Sequence, residues 1–201
     1  MQWRYAAKRY DSTKKLSEEQ VNAVLDAINH APTAYGLQPY QVVRVTSETL
    51  RKELSPASYN QPQITEASDL LIFVVPKKLD SEAVDSYMSR ISEVRAVEKT
   101  ALNGFAEYIN GAIANLDEEQ TISWNAKQAY IGLGFGLAEA AIQQIDSTPM
   151  EGFNPQAVNE VLGLTDKTAV VMLALGYRSQ EDATQHNKKV RKELTDFVIN
   201  K

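Results

Sequence analysis

The chain contains no cysteine among its 201 residues, which excludes disulfides, thiolate metal sites and cysteine nucleophiles. Histidine is scarce: His30 and His186 are the two present and stand far apart, so a histidine-based metal cluster is not expected. No apolar run approaches the roughly 20 residues a membrane-spanning helix needs. The start, Met1-Gln2-Trp3-Arg4-Tyr5, lacks the apolar core of a signal peptide. There is no Walker loop, which argues against an ordinary P-loop nucleotide enzyme. Basic residues number 21 and acidic ones 26, for a net charge of -5 with the signs interspersed. That balance argues against nucleic acid or an anionic membrane as the main partner. The expectation is a cytoplasmic protein.

What remains is an ordinary globular mixture, 43% apolar and 23% charged, long enough for one domain with a sizeable core. Ser17-Glu18-Glu19-Gln20 has the capping-box pattern of a helix start. Val21, Val24, Leu25 and Ile28 then fall at i, i+3, i+4 and i+7 as one apolar stripe. Pro32 ends this helix, because proline restricts the residue before it and has no N–H to give. The loop His30 to Tyr40 follows, with Thr33, Gly36 and Gln38 in a turn-rich segment and Pro39 favouring an extended approach to a strand. It is either a ligand loop at the mouth of that strand or a plain connection.

Residues 40–45 read as a buried strand, and Ser47 opens a short helix through Leu54. Ser55 to Gln63 is irregular; Asn60 and Gln63 offer amides for a ligand there, or simply serve turns. Leu70-Leu71-Ile72-Phe73-Val74-Val75 is continuous, short and bounded by Asp69 and Pro76, as in a central strand covered on both faces. Ser81 to about Leu116 reads as helical, with a break near Asn103-Gly104 and an exposed stretch from Glu93 to Thr100. Phe105, Tyr108, Ile109 and Ile113 either pack inward or overhang a site.

Ser123 to Ile145 is the longest predicted helix, apolar around most of its circumference, hence central or at a subunit interface. Gly132, Gly134 and Gly136 have the wrong spacing for a dinucleotide fingerprint and read as points of close packing. Gly152 lets the backbone approach a ligand or merely turn. Asn154 caps a short helix beginning at Pro155, and residues 169–175 form another buried strand stopped by Gly176. Basic residues gather at both chain ends: Arg4, Lys8, Arg9, Lys14 and Lys15, then Lys188, Lys189, Arg191 and Lys192. Arg4/Lys8 and Lys189/Arg191 either converge on one phosphate, for which the arginine fork is suited, or form two solvated faces.

Taken in order, these segments resemble the FMN-dependent nitroreductase family, close in layout to oxygen-insensitive NAD(P)H nitroreductases. The resemblance spans nearly the whole chain. It rests on Arg4-Tyr5-Ala6-Ala7-Lys8 with Tyr10-Asp11, and on Ala31-Pro32-Thr33-Ala34-Tyr35-Gly36-Leu37-Gln38-Pro39-Tyr40. Asn60-Gln61-Pro62-Gln63, Trp124-Asn125-Ala126-Lys127-Gln128, Pro149-Met150-Glu151-Gly152-Phe153 and Lys189-Val190-Arg191 complete it.

The resemblance implies an α+β fold, a mostly antiparallel central sheet wrapped by helices. It also implies one domain over 1–201, in an intertwined homodimer that exchanges its C-terminal segments. FMN would lie at the dimer interface. Arg4, Lys189 and Arg191 would hold its phosphate, with Tyr5, Ala6, Pro149 and Met150 beside it. Lys8 and Asn60 would meet the pyrimidine side of the ring, near Gln63. Pro32, Thr33, Ala34 and Gly36 would line the site from the other subunit, and the Glu151 and Gly152 N–H groups would face flavin N5. Tyr35, Tyr59, Phe105 and Tyr108 are the substrate-lining candidates.

The implied reaction is ping-pong: NADH or NADPH reduces FMN, then a nitroaromatic, quinone or similar flat acceptor takes the electrons. Because the flavin carries the chemistry, no catalytic side chain is needed. The chain departs from the family pattern at Ala6 and Ala34, which lack hydroxyls, at Tyr40 in place of tryptophan, and at Gln63 where some members have lysine. Rival expectations are another flavin chemistry on the same scaffold, a non-catalytic flavin-binding protein, and a plain α/β domain with accidental matches.

Overall fold

The computed structural model describes residues 2–201; Met1 lies outside the described residues. Four strands, β1 (Gln41–Val45), β2 (Asp69–Pro76), β3 (Asp146–Met150) and β4 (Lys167–Gly176), form one sheet in the order β1-β2-β4-β3. All three pairings are antiparallel. Around it lie α1 (Glu18–Asn29), α2 (Glu48–Ala57), α3 (Gln63–Glu66), α4 (Ser81–Arg95), α5 (Asn103–Ile113), α6 (Glu118–Ile142), α7 (Pro155–Leu162) and α8 (Leu194–Phe197). This is the α+β arrangement expected. No helix among the described residues is long and apolar enough to cross a membrane.

The continuous apolar run of β2 has a simple cause: both faces of the sheet are covered. Leu70, Ile72 and Val74 point to one side and pack with Met172 and Ala174 of β4, Leu54 and Ala57 of α2, and Val158 of α7. Leu71, Phe73 and Val75 point to the other, against Val21, Val24 and Ile28 of α1 and Ala129, Leu133 and Ala140 of α6. Each such buried side chain contributes roughly 1.5–3 kcal/mol relative to exposure. A bulge between Phe73 and Val74 shifts the β2–β4 register by one residue, so that Phe73 faces Val171 but Val74 faces Ala169. A third cluster joins Val84, Met88 and Ile91 of α4 to Ile109 and Ile113 of α5.

The start of α1 follows the capping box. Ser17 Oγ accepts from the Gln20 N–H, and the Ser17 N–H donates to Gln20 Oε1. Asn154 caps α7 before Pro155, as expected. Several boundaries differ from the sequence expectation. The first short helix does not stop at Leu54: α2 continues to Ala57 with Pro56 in its last turn, which leaves the Lys52 carbonyl without its i→i−4 donor while the Ser58 N–H still bonds to the Leu54 carbonyl. The irregular stretch after it is correspondingly shorter, residues 58–62, and its last expected residue, Gln63, opens α3. The helical break falls at Ala96, in the left-handed conformation, rather than at Asn103-Gly104, which instead opens α5. Ile109 and Ile113 turn inward, whereas Phe105 and Tyr108 stay exposed. Residues 93–100 are exposed, as expected.

The longest helix begins at Glu118, five residues before its expected start. Asp117 and Gln120 form a second capping box there, and Ile145 lies beyond its end. Residues 146–150, to which the sequence reading assigns no element, form the edge strand β3; its Pro149 is exposed, as an edge strand allows. Of the three glycines of α6, two are close-packing points. A Cβ at Gly132 would lie 2.5 Å from Tyr40 Oη, and one at Gly136 would lie 2.8 Å from Ile28 Cγ1. Gly134 meets nothing within 4 Å.

Gly132→Ala should therefore destabilise the fold by about 1–3 kcal/mol through overpacking, despite its gain in helix propensity. The penalty should shrink in a Tyr40→Phe background, which removes the nearest atom. Urea unfolding of the single and double variants reads both effects, and an unpenalised Gly132→Ala would contradict this packing.

Candidate functional site

The N-terminal segment has no regular structure of its own, yet it is fastened along β3. Ala6 forms a parallel bridge with Ser147, and Thr148 Oγ1 donates to the Ala7 carbonyl at 2.6 Å. Trp3 Nε1 donates to the Ala141 carbonyl. The Arg178 guanidinium lies over the rings of Trp3 and Tyr5, 5.3 and 4.5 Å from their centroids, and is itself held by Asp146 through Nε at 2.8 Å. Asp182, only 1% exposed, accepts from the Tyr5 hydroxyl at 2.9 Å and the Lys8 N–H at 2.7 Å, and from Thr184 N–H and Oγ1. These contacts fix where Arg4 and Lys8 stand.

The two chain ends then meet. A cavity of about 570 Å³ is lined by Gln2, Trp3, Arg4, Tyr5, Ala6 and Lys8 from one end and Thr184, Gln185, Asn187, Lys188, Lys189 and Arg191 from the other, with Pro149 between them. Five basic residues and no acidic one face it. Burial, then the Arg191 charge, pushes the Arg4 guanidinium below its ordinary pKa, and burial followed by Arg4 and Arg191 does the same to Lys189. Arg4 makes two long contacts, at 3.5 Å to the Tyr5 and Ser147 carbonyls, and its buried Nε has no partner. Cations that destabilise one another, with a buried donor to spare, suit a multiply charged anion such as a phosphate monoester.

The structure brings Arg4, Tyr5, Ala6, Lys8, Pro149, Lys189 and Arg191 into one cavity and places the other sequence candidates elsewhere. Met150 is buried in the core beside Ala7. Glu151 and Gly152 are exposed in the turn after β3, where Tyr130 Oη donates to Glu151 Oε1 at 2.6 Å and Gln61 Nε2 donates to the Gly152 carbonyl. Asn60 and Tyr59 are exposed in the neighbouring loop, both at φ +54°. Gln63 is buried, its Oε1 without a partner.

The Pro32–Gly36 loop packs instead near α4 and α6. The Ala34 N–H donates to Gln128 Oε1, Tyr35 stacks at 6.3 Å from Trp124 and meets Tyr108 edge-on at 5.8 Å, and Gly36 (φ +78°) abuts Tyr87 Oη. Phe105 and Tyr108 stand exposed on α5. Tyr35, Gln38, Tyr59 and Asn60 are four of the six non-glycine residues at positive φ among the described residues. At roughly 1–2 kcal/mol each, such backbone strain collects in these two loops.

Tyr130, Gln61, Asp182 and Lys188 were not picked out as site residues from the sequence. Lys188 carried a signal in its place in the basic tail, and Gln61 in the Asn60-Gln61-Pro62-Gln63 segment; Tyr130 and Asp182 carried none. The carboxyl of Asp182 is held well below the ordinary carboxylate range: burial opposes the charge, but the hydrogen bonds from Thr184, Lys8 and Tyr5 outweigh it. Its contribution to stability is therefore full above the unfolded pKa of about 3.9 and is lost as pH falls through the folded value. Asp182→Asn should lower the urea midpoint at pH 7, and the gap from wild type should close as the pH drops below about 4. A gap independent of pH would contradict the assigned role.

The profile of the nitroreductase family matches residues 1–177. A protein named "Putative NAD(P)H nitroreductase" from Staphylococcus haemolyticus is 32% identical over 209 residues, covering 98% of this chain and 93% of its own length. Among solved structures, a nitroreductase, so named as putative, from Bacillus subtilis superposes with a TM-score of 0.87 at 21% identity, covering 98% of this chain and 95% of the other. A similarly named protein from Exiguobacterium sibiricum, solved in complex with FMN, gives 0.83 at 19% identity over 99% and 94%. With the family profile spanning most of the sequence and a relative at 32% identity covering nearly all of it, this chain belongs to the nitroreductase family.

Proposed function

We propose that this chain is an FMN-dependent NAD(P)H oxidoreductase of the cytoplasm that reduces nitroaromatics, quinones or similar flat acceptors in a ping-pong cycle. The observation that carries the proposal is the acid-free cavity lined by five basic residues from opposite ends of the chain. Its mutually destabilised cations and the unpartnered Arg4 Nε fit the phosphate of FMN. The FMN-bound relative and the NAD(P)H in the relatives' names agree with it.

Bound FMN would supply the chemistry, accepting a hydride from the pyridine nucleotide and passing the electrons to the acceptor. The chain's own part is to bind, orient and tune. Arg4, Lys189 and Arg191 hold the phosphate, with Tyr5, Ala6 and Pro149 shaping the walls and Met150 supporting them from the core. Lys8 places an ammonium, and Asn60 an amide, at the pyrimidine side of the ring, with Gln63 behind them; the ammonium favours negative charge there. The Glu151 and Gly152 N–H groups would be available to the ring's central nitrogen when FMN is bound.

Pro32, Thr33, Ala34 and Gly36 line no wall of the Arg4 cavity. In this proposal they serve the site of a second copy, with Tyr35, Tyr59, Phe105 and Tyr108 near the acceptor. Apolar surface supports the homodimer. Ile131, Phe135 and Ile142 of α6 are exposed, and so are Val190, Leu194, Phe197 and Ile199 of the tail. Burying them against a partner through exchanged C-terminal segments would remove that area from water.

Loss of one charged hydrogen-bonding partner costs about 1.5–3 kcal/mol, or roughly tenfold to hundredfold in affinity. Arg191→Ala should weaken FMN by that factor and leave riboflavin, which lacks the phosphate, almost unchanged; fluorescence titration reads both. Equal losses for the two flavins would contradict the phosphate assignment. Lys8→Ala should slow anaerobic reduction by NAD(P)H, followed by stopped-flow absorbance, or weaken FMN. Unchanged affinity and unchanged rates would refute its role.

A further inference from the structure

The turn after β3 is braced by two side chains from distant parts of the chain. We propose that Tyr130 and Gln61 are positioning residues that hold the Glu151–Gly152 peptide in register with the flavin, an inference that rests on the function proposed above. On one side, Tyr130 Oη donates to Glu151 Oε1 at 2.6 Å. On the other, Gln61 Nε2 donates to the Gly152 carbonyl at 2.5 Å and to the Ser58 carbonyl at 3.1 Å. The amide thus stitches the Tyr59–Asn60 loop to the turn. A Cβ at Gly152 would lie 3.0 Å from Gln61 Nε2, so glycine is what lets the amide sit so close.

The end of the turn is anchored as well. The Phe153 N–H donates to the Glu151 carbonyl, the Asn154 N–H donates to the Ala57 carbonyl, and the Phe153 ring is buried in the core. Glu151 and Gly152 themselves remain exposed, and among the described residues neither of their N–H groups donates to the protein. An exposed turn would sample many orientations without these braces. With them, its two free donors keep one direction while the long helix α6 and the Asn60 loop carry the load.

This positioning has a consequence that general structural support would not produce. The ring nitrogen beside the turn accepts a hydrogen bond when oxidised and carries its own proton when reduced. A fixed N–H therefore favours the oxidised flavin, and loosening it raises the midpoint potential. Tyr130→Phe removes one hydroxyl from an exposed site, and Gln61→Ala removes the other brace.

The experiment measures three quantities on the FMN-loaded wild-type protein and both variants: thermal midpoint, FMN affinity and flavin midpoint potential. The expected result is a thermal midpoint within a few degrees of wild type, FMN affinity within about threefold, and a midpoint potential shifted in the positive direction in each variant. The shift should be larger in the double variant. Potentials unchanged in both variants, with FMN bound as in wild type, would overturn the positioning role and leave the proposed function intact. Potentials that move only in step with a fall in thermal midpoint would likewise overturn it, assigning the two residues to the fold. A wild-type protein that takes up no FMN would overturn both.

Discussion

Everything in this molecule is referred to the pairing of β2 with β4. The two strands are antiparallel from Asp69 opposite Leu175 to Pro76 opposite Lys167, and their side chains alternate between two helical layers. Because α1 and α6 cover one face and α2 and α7 the other, neither strand can shift by one residue without inverting its apolar contacts. The pairing also decides where the chain ends go. β3 lies on the outer side of β4, the N-terminal segment runs along β3, and the chain leaving Gly176 passes Arg178 and Asp182 on its way to the basic tail. The two clusters of positive charge meet because the sheet delivers both ends to the same edge.

The chain is acidic overall, at -5, while the cavity between its ends is strongly cationic. Net charge describes the surface as a whole; an anion entering the cavity responds to the five basic residues around it. Arranging them is unfavourable in itself, as the lowered proton affinities of Arg4 and Lys189 indicate. Opposing contacts hold the segment in place: Asp146 with Arg178, and Asp182 with Tyr5, Thr184 and the Lys8 N–H. The acids are spent on the scaffold behind the cavity and are absent from its lining. A ligand phosphate would supply the missing counter-charge.

The sequence foretells those parts of the structure whose cause is local. The Ser17–Gln20 capping box, the stripe of α1, the uninterrupted apolar run of β2 and the Asn154-Pro155 helix start carry their signals within a few residues. The strand β3 does not: Asp-Ser-Thr-Pro-Met has neither an apolar run nor alternation, and it becomes a strand only through its position beside β4. The left-handed Ala96 ends α4 without glycine or proline to announce it. The basic residues of the cavity were legible as charges at the chain termini, but their convergence depends on the sheet. The roles of Tyr130 and Gln61 were not legible, although Gln61 lies in the Asn60–Gln63 segment, because their contacts reach 21 and 91 residues along the chain to a turn the sequence could not orient. Pro32, Thr33, Ala34 and Gly36 stand apart from the cationic cavity, in a loop packed near α4 and α6, and only the proposed function gives them a place, in the site of a second copy.

The central claim is that the two chain ends build a flavin site that cycles electrons from a pyridine nucleotide. It is tested most directly by the visible absorption of the purified protein, before and after anaerobic NADH or NADPH. The purified protein should be yellow, or colourless and turning yellow on taking up FMN. Its flavin band should bleach with one of the two nucleotides and return when a quinone or nitroaromatic is added. A protein that neither carries nor takes up FMN, or whose bound flavin is bleached by neither nucleotide, would contradict it.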